Sequence, residues 1–211
     1  MNKSRGKFIT FEGVEGSGKS THAKFLYGYL KARGYKALLT REPGGTAIGD
    51  RVRDVLLDKK NKGMSLACEL FLYMACRAEI VKEIIRPALE KGLIVISDRF
   101  GDAASVYQGY AGGVDAGIIR KLTDFATNGL KPDLTILLDI DPRIGFDRIR
   151  KRKGLDRMES KPLSFHRRVR EGYLKLAAAK KGRIKLITAG GDIRDTQALV
   201  RKMARECLSI R

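Results

Sequence analysis

The sequence has no tryptophan, two histidines, three cysteines and five prolines among its 211 residues. His22 and His166 cannot by themselves form a histidine-rich metal centre. Cys68, Cys76 and Cys207 contain no Cys-x-x-Cys pair, which excludes a zinc ribbon and a disulfide framework and fits reduced thiols in a cytoplasmic protein. No apolar run reaches the roughly 20 residues of a membrane-spanning helix. The short polar stretch Met1 to Lys7 leads directly into a strand-like run and predicts no signal peptide. Repeats, linkers and low-complexity segments are also missing, so the length predicts a single domain over 1–211.

Acidic residues are the remaining shortage. Asp plus Glu is 24 against 43 Lys plus Arg, a net charge of +19. Such a balance points to a polyanionic partner, either nucleic acid or small phosphates. From Arg143 to Lys185 there are sixteen basic and four acidic residues, a local excess of +12. This stretch reads either as solvated helix faces or as a basic flap closing over phosphates.

What is present is alternation. Short apolar runs at Lys7 to Phe11, Lys36 to Thr40, Leu93 to Ser97, Asp133 to Asp139 and Ile184 to Thr188 read as strands. Amphipathic runs read as helices at Lys19 to Arg33, Ile48 to Asp58, Ser65 to Glu90, Pro142 to Arg152, Phe165 to Ala179 and Arg194 to Leu208. Strands separated by helices predict an α/β fold of three layers, a five-stranded parallel sheet with helices on both faces. Ligands then sit outside the carboxyl ends of the strands.

Gly13-Val14-Glu15-Gly16-Ser17-Gly18-Lys19-Ser20 matches Gly-x-x-x-x-Gly-Lys-[Ser/Thr], between a strand and a helix that continues through Thr21. The glycines let successive backbone N–H groups curl around a phosphate, and the helix start adds its positive end. Lys19 supplies charge to the β- and γ-phosphates, and the Ser20 hydroxyl suits Mg2+. The motif predicts a P-loop NTPase that binds a nucleoside triphosphate, without separating kinase from ATPase or GTPase.

Other residues fall at strand ends or on one helix face. Arg41 closes a strand ahead of Glu42-Pro43-Gly44-Gly45-Thr46, where a guanidinium can grip a phosphate in bidentate fashion. Asp98 and Arg99 follow Leu93 to Ile96; an Asp there suits magnesium or its waters, and an Arg can span two phosphates. Tyr73 and Arg77 share a helix face at i, i+4. On spacing alone a Tyr such as Tyr73 is more often core than a binding residue. Glu15 is a carboxylate inside a phosphate cradle, where it would repel phosphate, so it serves another purpose.

Together, Phe11 to Thr21, Thr40 to Thr46, Asp98-Arg99-Phe100, Tyr107-Gln108-Gly109 and Leu155-Asp156-Arg157-Met158-Glu159 resemble the thymidylate kinase family in order and spacing over nearly the whole chain. The resemblance implies Mg-dependent transfer of the ATP γ-phosphoryl to thymidylate (dTMP), and a homodimer. It makes Arg41 the acceptor-phosphate contact and gives the acceptor base to Tyr73 and Arg77, with Tyr107 and Gln108 alongside. Glu15 then holds the sugar 3′-hydroxyl. Tyr73 stands where a Phe is expected and Ala103 where a hydroxyl is common; Ser105 faces another side of its helix.

Some members of the family carry a catalytic Arg after this acidic residue, and others supply it from the lid. Gly16 places this chain with the second kind. The lid is about 148–162, and its candidates are Arg148, Arg150, Arg152 and Arg157, with Arg152 first and Arg150 second for the catalytic role. The rival class is a nucleic-acid-binding P-loop ATPase. Grooves of that kind pair basic residues with exposed aromatics. The basic stretch has only Phe146, Phe165 and Tyr173, on apparently apolar faces, which argues against nucleic acid. A nearer rival is a kinase for another nucleoside monophosphate.

Overall fold

The structure is a computed structural model that describes residues 5–151 and 154–210. Five parallel strands, β1 Phe8–Glu12, β2 Ala37–Arg41, β3 Ile94–Asp98, β4 Leu134–Asp139 and β5 Ile184–Thr188, form one sheet in the order β2-β3-β1-β4-β5. β1, β3 and β4 are almost wholly buried and read as continuous apolar runs, as strands covered on both faces must. The edge strands are more open: β2 is half-buried, and Lys185 and Leu186 of β5 are exposed. Successive residues serve opposite faces. Phe8 and Val95 pack with Ile80, Ile85 and Leu89 on one side. Ile9, Ile96 and Ile136 pack with Leu26 and Leu30 of α1 (Lys19–Ala32) and Val200 and Ala204 of the last helix.

Each of the first three strands lies one residue later than its sequence pattern predicts. That shift puts Glu12, Arg41 and Asp98 at the carboxyl edge, where the parallel register sets Arg41 beside Asp98 and Phe11 beside Asp98. β1 is the strand at which the order of connection reverses, so the crevice opens above it.

α2 (Ala47–Leu57) starts at Thr46, whose hydroxyl caps the Gly49 N–H at 2.9 Å. The long helix expected over Ser65 to Glu90 is three pieces: α3 (Leu66–Ile80), a π turn at Val81–Ile85, and α4 (Arg86–Glu90). Pro87 is the cause, since it donates no N–H and its ring crowds the preceding turn; widening the turn absorbs both faults.

Periodicity assigns no bounded element between Ser97 and Asp133. The structure has α5 (Gly101–Ala104), a π segment Ser105–Tyr110, and α6 (Ala116–Thr127), capped by Asp115 and stopped by Asn128 at φ 47°. Gly117 lies inside the first turn of α6. α7 (Pro142–Arg150), α8 (Leu163–Ala179) and α9 (Ile193–Leu208) complete the layers. Among the described residues no helix is long and apolar enough to cross a membrane.

Candidate active site

β1 delivers the glycine-rich loop to α1. Gly13, Gly16 and Gly18 have φ of 143°, 72° and 91°, a region that penalises any side chain. At Gly16 a Cβ would also lie 2.3 Å from the Gly145 carbonyl oxygen of α7, so position 16 cannot hold a side chain while α7 rests on the loop. No side chain caps the start of α1, which leaves its first N–H groups for an anion. Lys19 is buried, and its Nζ donates to the Val14 carbonyl at 2.8 Å. Burial first, then Arg99, lowers its pKa to about 8, against the pull of Glu15, Asp98 and Glu12. The Ser20 hydroxyl donates to an Asp98 carboxylate oxygen across the strand ends.

Arg99 occupies the centre in a left-handed backbone conformation, φ 72°. Its Nη2 donates to Glu15 Oε1 at 2.8 Å, and Nη1 donates to the Gly13 carbonyl and the Tyr173 hydroxyl at 3.3 Å each. The guanidinium lies 5.0 Å above the Tyr107 ring. Glu15 accepts two further bonds, from Tyr107 Oη at 2.7 Å and His166 Nδ1 at 2.9 Å. Burial alone would push this carboxyl up; Arg99, His166 and Lys19 outweigh it and hold Glu15 well below the usual carboxylate range.

Across the same cleft, Arg41, Tyr73 and Arg77 face the loop, together with Ala103, Tyr107 and Gln108. Arg77 is 1 % exposed; its Nε and Nη2 donate to Glu42 Oε2 at 3.0 and 2.8 Å. Burial raises Glu42, and Arg77 works against that rise. Gln108 Nε2 donates to Glu69 at 2.8 Å, which fixes its amide. Arg41 is exposed, with Asp50 3.7 Å away. Ser105 does line a different surface, the depression between α6 and α8.

The site therefore joins a triphosphate cradle to a second, acceptor-sized compartment, with Asp98 and Arg99 between them. The family model described as thymidylate kinase matches residues 11–200. The thymidylate kinase of Geotalea daltonii is 47% identical, covering 92% of this chain and 94% of its own. That of Desulfovibrio desulfuricans is 49% identical over 86% of this chain and 87% of its own. The crystal structure of thymidylate kinase from Ehrlichia chaffeensis superposes with a TM-score of 0.77 at 34% identity, over 95% of this chain and 99% of that one. The chain belongs to the thymidylate kinase family.

As a thymidylate kinase family member it is a nucleoside monophosphate kinase, a phosphotransferase, built on a P-loop α/β fold. The lid arginines of this family member separate in the structure. Arg148 Nη1 donates to the Gly16 carbonyl at 3.2 Å. Arg150 ends α7 in a neighbouring depression with Phe146, Leu155 and Pro162. Arg157 is buried: Nη1 lies 2.6 Å from Glu69, and Nε donates to the Leu56 carbonyl at 2.6 Å. Arg152 lies outside the described residues.

Sequence reasoning missed the residues that hold this site together. Glu42, Glu69, Tyr173 and His166 each sit one contact behind a residue it named. Only a spatial neighbour reveals them, because His166 and Tyr173 arrive from α8, about 150 residues after the loop they support.

Proposed function

We propose that this protein transfers the γ-phosphoryl of ATP to dTMP, giving dTDP and ADP, with Mg2+. The observation that carries the reading is one continuous cleft whose walls are the P-loop residues Gly16 and Gly18 to Thr21 on one side and the Arg41, Tyr73, Arg77 face on the other. The loop amides from Gly13 through Gly18 and Lys19 hold the donor phosphates. Arg41 grips the acceptor phosphate, Tyr73 stacks on the base, and Arg77 and Gln108 read its edge. Glu15, ionised and held by three donors, accepts from the sugar hydroxyl with Tyr107 beside it. Arg99 lies between donor and acceptor phosphates. Catalysis is positioning and charge neutralisation, with no covalent intermediate.

Ser20 and Asp98 supply hard oxygen atoms at the mouth of the cradle, a donor set that suits Mg2+. Among the described residues no cluster of three or more His, Cys, Asp or Glu forms a cage, which fits an ion held mainly by phosphate oxygens and water. When bound, Mg2+ neutralises phosphate charge. The basic lid, about 148–162, supplies the guanidinium that Gly16 lacks, from Arg152 first and Arg150 second.

A homodimer in the cytoplasm completes the proposal. It is supported by exposed apolar side chains on three neighbouring helices: Val55 of α2, Phe71 of α3, and Ile118 and Phe125 of α6. The test is a panel of nucleoside monophosphates with ATP, read as ADP release. dTMP is expected to give the highest kcat/KM. Deoxyuridylate follows within about 10–200-fold, the range for one methyl in an apolar pocket. A higher kcat/KM for cytidylate or guanylate would overturn the acceptor assignment.

A further inference from the structure

Beneath the cleft lies a carboxylate that phosphate binding does not use, and it reaches both ends of Arg99 through the groups that Arg99 adjoins, the Phe100 N–H and the Tyr173 hydroxyl. Glu12 closes β1 and has no exposed surface. Its Oε1 accepts from the Phe100 N–H at 2.8 Å, and its Oε2 accepts from the Tyr173 hydroxyl at 2.7 Å. The Phe100 N–H and the Arg99 carbonyl belong to one peptide unit. The Arg99 carbonyl is in turn bonded by the Ser97 hydroxyl at 2.7 Å. Both polar atoms of that peptide are thus pinned, on the very residue whose φ of 72° an arginine does not adopt freely. At the other end, Tyr173 Oη receives Arg99 Nη1 while donating its own proton to Glu12.

We infer that Glu12 is a positioning residue for Arg99, clamping its backbone through the Phe100 N–H and its guanidinium through Tyr173. The inference rests on the reading of Arg99 as the group between the two phosphates. Such preorganisation matters because a long, flexible cation aimed in advance loses less freedom at the transition state. The clamp needs the ionised form, since two donors meet two carboxylate oxygens. A protonated carboxyl carries a donor of its own and leaves one of those partners unmatched.

Burial pushes Glu12 up to about 7; Arg99 opposes it, Asp102 on α5 adds to it, and Tyr173 and the Phe100 N–H lower it. Lys19 on α1 is the further charge that feels it. The clamp therefore loosens as pH falls through about 7, and kcat acquires an acid limb there. Stability runs the other way. The folded-state pKa lies above the unfolded chain's 4.5, so the folded protein holds the proton more tightly, and the stability gained from it is lost as pH rises through about 7.

The experiment compares wild type, Glu12→Gln, Tyr173→Phe, Arg99→Ala and the Glu12→Gln/Arg99→Ala double variant. kcat and KM are measured with ATP and dTMP from pH 5.5 to 9, and melting at pH 8. Glu12→Gln and Tyr173→Phe are each expected to lower kcat by about tenfold or more, with acceptor KM within about threefold. Glu12→Gln should also flatten the limb near pH 7 and melt no lower than wild type at pH 8. In the Arg99→Ala background, Glu12→Gln should change kcat by less than about twofold, as expected when one residue acts through another.

If Glu12→Gln and Tyr173→Phe keep kcat within about threefold while Arg99→Ala loses it, the clamp is refuted and the reading of Arg99 stands. Independent losses that multiply in the double variant refute it as well. Wild-type turnover in Arg99→Ala would remove the reading of Arg99 and the inference with it. Should Glu12→Gln not fold, Tyr173→Phe, which removes only a hydroxyl, decides by the same kinetic criteria.

Discussion

Two populations of arginine serve one cleft under opposite conditions. On its floor Arg77 is buried and Arg99 partly so, and both are paired, with Glu42 and Glu15 at 2.8 Å each. Arg148 and Arg150, at the end of α7, are exposed; Arg148 meets only a loop carbonyl, and Arg150 has no ion-pair partner among the described residues. Charges of the first kind are aimed before any substrate arrives. Those of the second kind are free to form a contact that exists only with the donor bound. Arg157 belongs to the lid by sequence and to the floor by pairing, since Glu69 holds it in the interior. The lesson is that local basicity does not separate the two roles, whereas the presence of a buried carboxylate does.

The largest effect expected from this contrast lies in the exposed set. Alanine at the arginine that reaches the transferring phosphoryl should lower kcat by about 10³–10⁵, judging by arginine fingers. Melting should not change, because an exposed arginine contributes about 0–1 kcal/mol to the fold. Arg150 and Arg148 of this set, and ahead of them Arg152, which lies outside the described residues, are to be substituted singly. If all three keep kcat within about threefold, under ~0.7 kcal/mol of barrier, the lid does not carry the catalytic charge. A nucleic-acid role for the basic stretch would instead show as small, similar losses of polynucleotide binding with reduced salt dependence.

Lys19→Ala comes next. Removing one charged donor aimed at developing charge costs about 10²–10³ in kcat. Among the described residues the lysine's one side-chain hydrogen bond is to a loop carbonyl, so the fold should survive. Wild-type turnover in a folded variant would break the assignment of the phosphate cradle.

Arg77 sharpens the comparison from the other side. Arg77→Ala strands Glu42 without its cation, and breaking a buried pair in this way costs about 3–5 kcal/mol of stability. The double change Arg77→Met with Glu42→Gln should recover most of that stability in a denaturant titration while acceptor KM stays high. If single and double variants are equally unstable, the pair is not what fixes this corner of the cleft.

The sequence makes the outer logic of the site readable because it is local. A phosphate loop between strand and helix, and polar residues at the ends of apolar strands, are contiguous patterns. The five strands were recoverable to within about a residue for the same reason. The residues behind them were not. Gly16 reads as a missing arginine, but the structure adds why nothing else fits: the backbone of Gly145 occupies the space. Tyr173 reads as one apolar face among others, yet its hydroxyl joins Glu12 to Arg99. α6 has no assigned counterpart in the sequence reading, because the Asp115 cap and the buried Ile119 that define it are single residues.

The smallest effect concerns Lys19 and pH. Burial and the nearby Arg99 lower its pKa from 10.5 to about 8 in the free protein. Donor phosphates require the cation, so kcat/KM for ATP, which reports the free enzyme, should fall by about twofold near pH 8 and roughly tenfold per unit beyond. kcat should hold to higher pH, because bound phosphates stabilise the charged amine. Stability moves oppositely. The folded protein releases this proton more readily than the unfolded chain, so the lysine's unfavourable contribution shrinks as pH rises from about 8 towards 10.5. Activity and melting temperature should therefore diverge in this window, measured as the difference between wild type and Lys19→Met. If kcat/KM stays flat to pH 10, or if kcat and kcat/KM fall together, the lysine does not titrate in the free cleft. The floor would then be less desolvated than its buried pairs imply, and the contrast between floor and lid would narrow to one of pairing alone.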